Sequence, residues 1–179
     1  MMSPLAVIDK YYATDDSLRR LLLKHSWQVA NRCLECVSRH PGLDIDRELV
    51  FRGALLHDIG VFATSASKIY CKGKEHYLLH GFIGAKLLRE LGMEKEARIC
   101  ERHTGAGLSR YSLMKFKGKV VIDDYYPETI EEKLVCYADK FFSKSSPETI
   151  LTFEQAYNSL LRFGKEGADR FLEWHKIFG

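Results

Sequence analysis

No apolar run in the 179-residue sequence approaches the roughly 20 residues of a membrane-crossing helix. The first 15 residues also lack the basic start and apolar middle of a secretory signal, so a cytoplasmic location is expected. Charge of one sign is scarce: 27 Lys and Arg against 24 Asp and Glu leave a net +3. That is too mild for nucleic acid or an anionic membrane, whose binders carry a concentrated basic stripe. Cysteines number five, an odd and scattered set that argues against a disulfide scaffold. Cys33 and Cys36 form a C-x-x-C, but no second close pair completes a zinc ribbon, and reduced core-filling thiols are expected. Low-complexity segments are missing too.

What is present is ordinary globular composition, 46% hydrophobic and 28% charged, in a chain suited to one compact domain. We expect residues 1–179 to form that domain, with a core over about 15–145 and C-terminal helices over about 146–179 packed on its outside.

The stretch Ala54-Leu55-Leu56-His57-Asp58-Ile59-Gly60 organises the chain. Neighbours on a helix point about 100° apart, so His57 and Asp58 cannot both face water from an apolar element. Val50, Phe51, Ala54, Leu55 and Leu56 make the segment apolar nearly all round, as in a buried helix that Asp46 caps and Gly60 stops. Burying an ionised Asp58 demands a base, a hydrogen-bond network or a metal.

Before it, residues 15–40 read as a long amphipathic helix capped by Asp15 or Asp16, with Leu18, Leu22, His25, Val29, Cys33 and Val37 on one stripe. After it, 61–75 reads as a loop carrying Lys68, Lys72 and Lys74. A helix over 75–91 holds His80 among Gly81, Gly84 and Ala85, with His76 one turn earlier as a reserve ligand or substrate contact. A shorter helix over 94–104 brings His103 out of an apolar face and stops at Gly105 and Gly107, flanked by Arg102 and Arg110. Residues 115–127 read as irregular, with 120–122 a candidate extended run. Thr129 and Glu132 form a capping box for a helix to about residue 142, on which Asp139 sits among Val135, Ala138 and Phe142. Ser146-Pro147 is expected to start the next helix, and 171–178 supplies the last.

Six polar residues, His25, His57, Asp58, His80, His103 and Asp139, thus face or end apolar helical surfaces. Any one alone suits a hydrogen-bonded core. Together they predict an all-α, single-domain helical bundle with a metal site in its core. Imidazole mixed with carboxylate suits one or two divalent ions of iron, manganese, nickel or zinc better than magnesium or calcium.

In this order the residues resemble the HD-domain superfamily of metal-dependent phosphohydrolases. His57-Asp58-Ile59-Gly60 matches its HDIG form literally, and His80-Gly81-Phe82-Ile83-Gly84-Ala85 and His103-Thr104-Gly105 resemble the extra histidine motifs of binuclear members such as symmetrical diadenosine tetraphosphate hydrolases. Residues 126–140, Arg162-Phe163-Gly164 and Trp174 also resemble a small prokaryotic HDIG subfamily. The resemblance implies that His25, His57, Asp58 and Asp139 ligate one metal and that Asp58 bridges to a second held by His80 and His103. It further implies hydrolysis of a phosphate ester or anhydride, in a small phosphorylated substrate such as a nucleotide, by a metal-bound hydroxide. Many HDIG proteins carry a lysine directly after the motif, where this chain has Val61. Lys68, Arg102 and Arg110 are the candidates to replace its phosphate contact. The same ligands suit two rivals: a mixed-valent di-iron oxygenase, and a non-catalytic nucleotide-binding or regulatory protein.

Overall fold

The computed structural model describes residues 2–12 and 16–179. Nine α-helices follow one another among these residues, with one two-stranded antiparallel hairpin. They are α1 (Pro4–Tyr11), α2 (Ser17–Arg39), α3 (Arg47–Leu56), α4 (His80–Glu90), α5 (Glu94–Arg102), α6 (Arg110–Leu113), α7 (Ile130–Asp139), α8 (Phe153–Leu161) and α9 (Lys165–Phe178). The all-helical expectation therefore holds. No helix among the described residues is long and apolar enough to cross a membrane.

Local chemistry sets the starts. Asp16, Asp46 and Thr129 each accept a backbone N–H of the following turn, and Thr129 and Glu132 complete their capping box. Asp15, the other candidate cap of α2, lies outside the described residues. Helix α2 packs on α3 and α7, α3 on α5, and α4 on α5, so the helices that carry the polar residues surround one another. Two apolar cores flank them. Leu55 belongs to one, with Val29, Leu134 and Phe171, while Leu56 and Ile59 belong to the other, with Leu22 and Leu88. The turn after α3 lies at the seam. All five cysteines are buried and free, as core filling requires.

Several expectations need correction. Residues 61–75 are not a plain loop: β1 (Ser65–Ala66) pairs with β2 (Cys71–Lys72). The 75–91 helix begins only at His80, after a single 3-10 turn over Tyr77–Leu79. Residues 120–122 form no strand; Val120 makes only an isolated bridge with Lys117. Gly60 does not end α3 through a left-handed turn, since its φ is −88°. It is glycine because a Cβ there would stand 2.3 Å from the His80 carbonyl oxygen and 2.5 Å from the Gly84 nitrogen.

Ser146-Pro147 starts no helix. The sequence Pro-Glu-Thr-Ile occurs at 127 and 147, but only the first copy has glutamate three residues after its threonine, whereas Thr149 is followed there by Thr152. Thr152 with Gln155 makes the capping box instead, and α8 starts there. The last helices, α8 and α9, pack onto one of the two cores through a buried face. Phe171 of α9 is wholly buried, its ring 5.2 Å from that of Tyr137 and 5.5 Å from that of Phe153. Phe171→Ala is expected to cost about 3–5 kcal/mol, readable as a lower midpoint in urea unfolding. A midpoint unchanged from the wild type would show α9 to be peripheral after all.

Candidate metal centre

Three of the four histidines expected at the site stand at helix ends. His57 follows the last residue of α3, His103 follows the last of α5, and His80 opens α4. Each ring donates Nδ1–H to the carbonyl three residues earlier: His57 to Ala54 at 2.7 Å, His80 to Tyr77 at 2.6 Å, His103 to Cys100 at 2.6 Å. Ala54 and Cys100 are among the last carbonyls of their helices, which have no intrahelical partner. The imidazoles satisfy these acceptors and thereby turn Nε2 inward. His25 enters from the middle of α2, and its Nδ1 has no hydrogen-bond partner.

The inward atoms converge on Asp58, which is wholly buried. Its Oδ2 is 3.3 Å from His25 Nε2 and 3.2 Å from His57 Nε2; its Oδ1 is 3.2 Å from His80 Nε2 and 3.4 Å from His103 Nε2. Asp139 closes α7 and sets Oδ1 2.9 Å from His25 Nε2 and 3.5 Å from His57 Nε2. The fold therefore brings all six expected residues together. Buried thiols brace the same backbone, Cys100 donating to the His57 carbonyl and Cys136 to that of His103.

The donor set fits divalent transition metals. His80 Nε2 and His103 Nε2 face each other at 3.0 Å. With both Nδ1 protons committed to carbonyls, two lone pairs meet unless a proton or cation lies between them. Asp58 Oδ1, beside them, is buried without a hydrogen bond. Three overlapping trios can each hold an ion: His25, His57 and Asp58; His57, His103 and Asp139; and Asp58, His80 and His103.

Charge is tightly managed here. Burial drives the pKa of His25 down to about 4, helped by the Lys144 ammonium, and that of His103 down to about 3. At His57 burial also opposes the charge, but Asp58 and Asp139 outweigh it and hold the ring up at about 9. Burial would raise Asp58; Lys144 and His57 overcome this and keep it well below the usual carboxylate range. Asp139 stays low for the same kind of reason, against its burial, through Lys140 and the two histidines.

Those two lysines are what sequence reading missed. Lys144 Nζ bonds Asp58 Oδ2, and Lys140 Nζ bonds Asp139 Oδ2 at 2.7 Å. The available signal was position, since Lys140 follows Asp139 directly and Lys144 comes four residues after Lys140 in the segment beyond α7. The three basic residues named as phosphate contacts are placed otherwise. Lys68 is exposed on the 3-10 turn inside the hairpin. Arg102 is buried against Glu101 and Glu132, and Arg110 pairs with Asp123 and Asp124. His76 is exposed, accepts the Leu78 amide and packs against Phe116, away from the cluster.

The chain is 41% identical over 102 residues to the uncharacterised protein MJ0778 of Methanocaldococcus jannaschii, covering 56% of this chain and 53% of that one. It is 36% identical over 127 residues to a tRNA (cytidine(56)-2'-O)-methyltransferase of Picrophilus torridus, covering 69% and 32%. With the enzyme of that name from Thermoplasma volcanium it shares 30% identity over 175 residues, covering 97% and 45%. The chain thus spans about half or less of the length of these relatives. The HD domain of the L. monocytogenes phosphodiesterase PgpH has the same fold, with a TM-score of 0.56 at 22% identity over 93% of this chain and 85% of that one. The HD-domain family model matches residues 22–143, from the buried stripe of α2 through Asp139, and the chain belongs to that family.

Proposed function

We propose that the protein is a metal-dependent phosphohydrolase acting on a phosphate ester or anhydride of a nucleotide. The observation that carries this reading is the shared carboxylate of Asp58, facing two histidines with each oxygen, with Lys144 on Asp58 and Lys140 on the neighbouring Asp139. In it, His25, His57, Asp58 and Asp139 hold one metal, and Asp58, His80 and His103 a second. When bound, the metals supply an activated water and an electrophilic hold on the phosphoryl oxygens. The chain's own part is to aim four imidazoles, to exclude bulk water and to meet the substrate's negative charge with Lys140 and Lys144. No cysteine serves as nucleophile. Burial pushes the Cys136 thiol up to about 12 and the Cys100 thiol well above its usual range.

The lysines favour a phosphate over the neutral organic substrate of an oxygenase. Nucleotides are supported by the PgpH HD domain, solved in complex with cyclic-di-AMP. The tRNA methyltransferase names of two relatives favour a second class, phosphate esters on RNA. The test is metal content as purified, followed by phosphate release from mononucleotides, dinucleoside polyphosphates, cyclic dinucleotides and end-phosphorylated tRNA. We expect about two metals per chain and release from one class. Tight nucleotide binding without turnover would support a regulatory protein, and oxygen uptake without phosphate release an oxygenase.

A further inference from the structure

All six clustered residues are 7% exposed or less, so an external phosphate has no open route to Asp58. Among the described residues, Lys144 is the one lysine or arginine packed against the carboxylate. Its ammonium contacts Asp58 Oδ2 and stands 3.4 Å from His25 Nε2, both atoms assigned above to a metal. An ammonium and a divalent ion cannot share one buried carboxylate oxygen, because like charges so close repel strongly where water does not screen them.

Lys144 is also placed to leave. It lies between α7 and α8, outside any helix, and its side chain is 12% exposed. The segment is tied down on either side: Leu151 donates to the Phe141 carbonyl at 2.9 Å, Gln28 to that of Pro147 at 3.0 Å, and Lys24 pairs with Glu148. The backbone can stay while the flexible four-carbon stem swings outward.

We propose that the Lys144 ammonium and a metal ion are alternative cations for Asp58. The lysine neutralises the carboxylate in the metal-free protein, is displaced when metal binds, and then receives the substrate's phosphate at the mouth of the site. This rests on the metal centre proposed above. Lys140 behaves differently, because it occupies Asp139 Oδ2 while Oδ1 faces His25, so a metal on that side need not evict it.

The test is calorimetric titration of Mn2+ into the chelator-stripped full chain. Lys144→Met is expected to bind Mn2+ about tenfold tighter than the wild type, and Lys140→Met to show no such gain. Once loaded, Lys144→Met should bind inorganic phosphate about tenfold more weakly. A second measurement uses the wild type alone: acetylation of Lys144 by acetic anhydride, read by mass spectrometry, should accelerate severalfold on adding Mn2+. Equal Mn2+ affinity in wild type and variant, or a labelling rate indifferent to bound Mn2+, would overturn the proposal and leave the metal centre standing. If neither protein takes up Mn2+, the metal centre and the proposal fall together.

Discussion

Asp58→Asn is expected to remove metal from the protein and to abolish phosphate release while leaving a folded chain. The substitution keeps the side chain's shape and deletes its charge. Losing even an outer partner of a metal ligand costs about 10–100-fold in affinity or activity, and Asp58 stands inside that layer on both halves of the site. The fall in turnover should therefore exceed about a hundredfold, with both proposed ions weakened at once rather than one. His25→Ala, by contrast, faces only the half shared with His57 and Asp139. Folding should tolerate Asp58→Asn, because Lys144, the cation left without its partner, can reach solvent. Metal-to-chain ratio, phosphate release and circular dichroism on one sample check this. Wild-type turnover in the variant would remove the cluster from consideration as the catalytic centre.

Gly60→Ala should have the largest effect on stability of any single methyl group added near the site. The added Cβ would meet the His80 carbonyl oxygen at 2.3 Å and the Gly84 nitrogen and Cα at 2.5 and 3.0 Å. These are backbone atoms of the first turn of α4 and cannot rotate aside. Overpacking of this kind costs about 1–3 kcal/mol, and at the upper end, where backbone atoms cannot yield, it predicts a melting temperature lower by roughly 6–12 °C. His80 rides on the displaced turn, so metal content should fall with stability. Gly42→Ala is the matched control. Its Cβ meets nothing within 4 Å and its backbone needs no left-handed conformation, so the change should be neutral or slightly stabilising. If Gly60→Ala melts with the wild type, the close seating of the turn on α4 is not tight.

The sequence made the helices and the six inward residues legible because both depend on local pattern. Periodicity put His25 on the buried stripe of α2, and three-residue spacing exposed the Thr129 and Glu132 box. What it concealed depends on chain reversal and distance. The start at Ser146-Pro147 failed because a proline and a serine do not supply the acid or amide that Gln155 gives Thr152. The burial of Phe171 required knowing that α9 returns to α7. Lys144 was invisible for the same reason: 86 residues separate it from Asp58, and only the fold of the segment after α7 joins them. Arg102 and Arg110 were drawn from nearness in sequence to His103, but carboxylates closer in space claim both.

The acceptors that aim His57, His80 and His103 are main-chain oxygens of Ala54, Tyr77 and Cys100. A layer built from peptide groups is beyond the direct reach of point mutation, since every residue type carries the same carbonyl. Genetic drift at these three positions alters packing yet leaves the imidazole tautomers intact. Among the histidines at the helix ends, ring orientation is inherited with the helix rather than with any partner side chain. His25, whose Nδ1 has no such anchor, is the ring whose aim evolution remains free to tune.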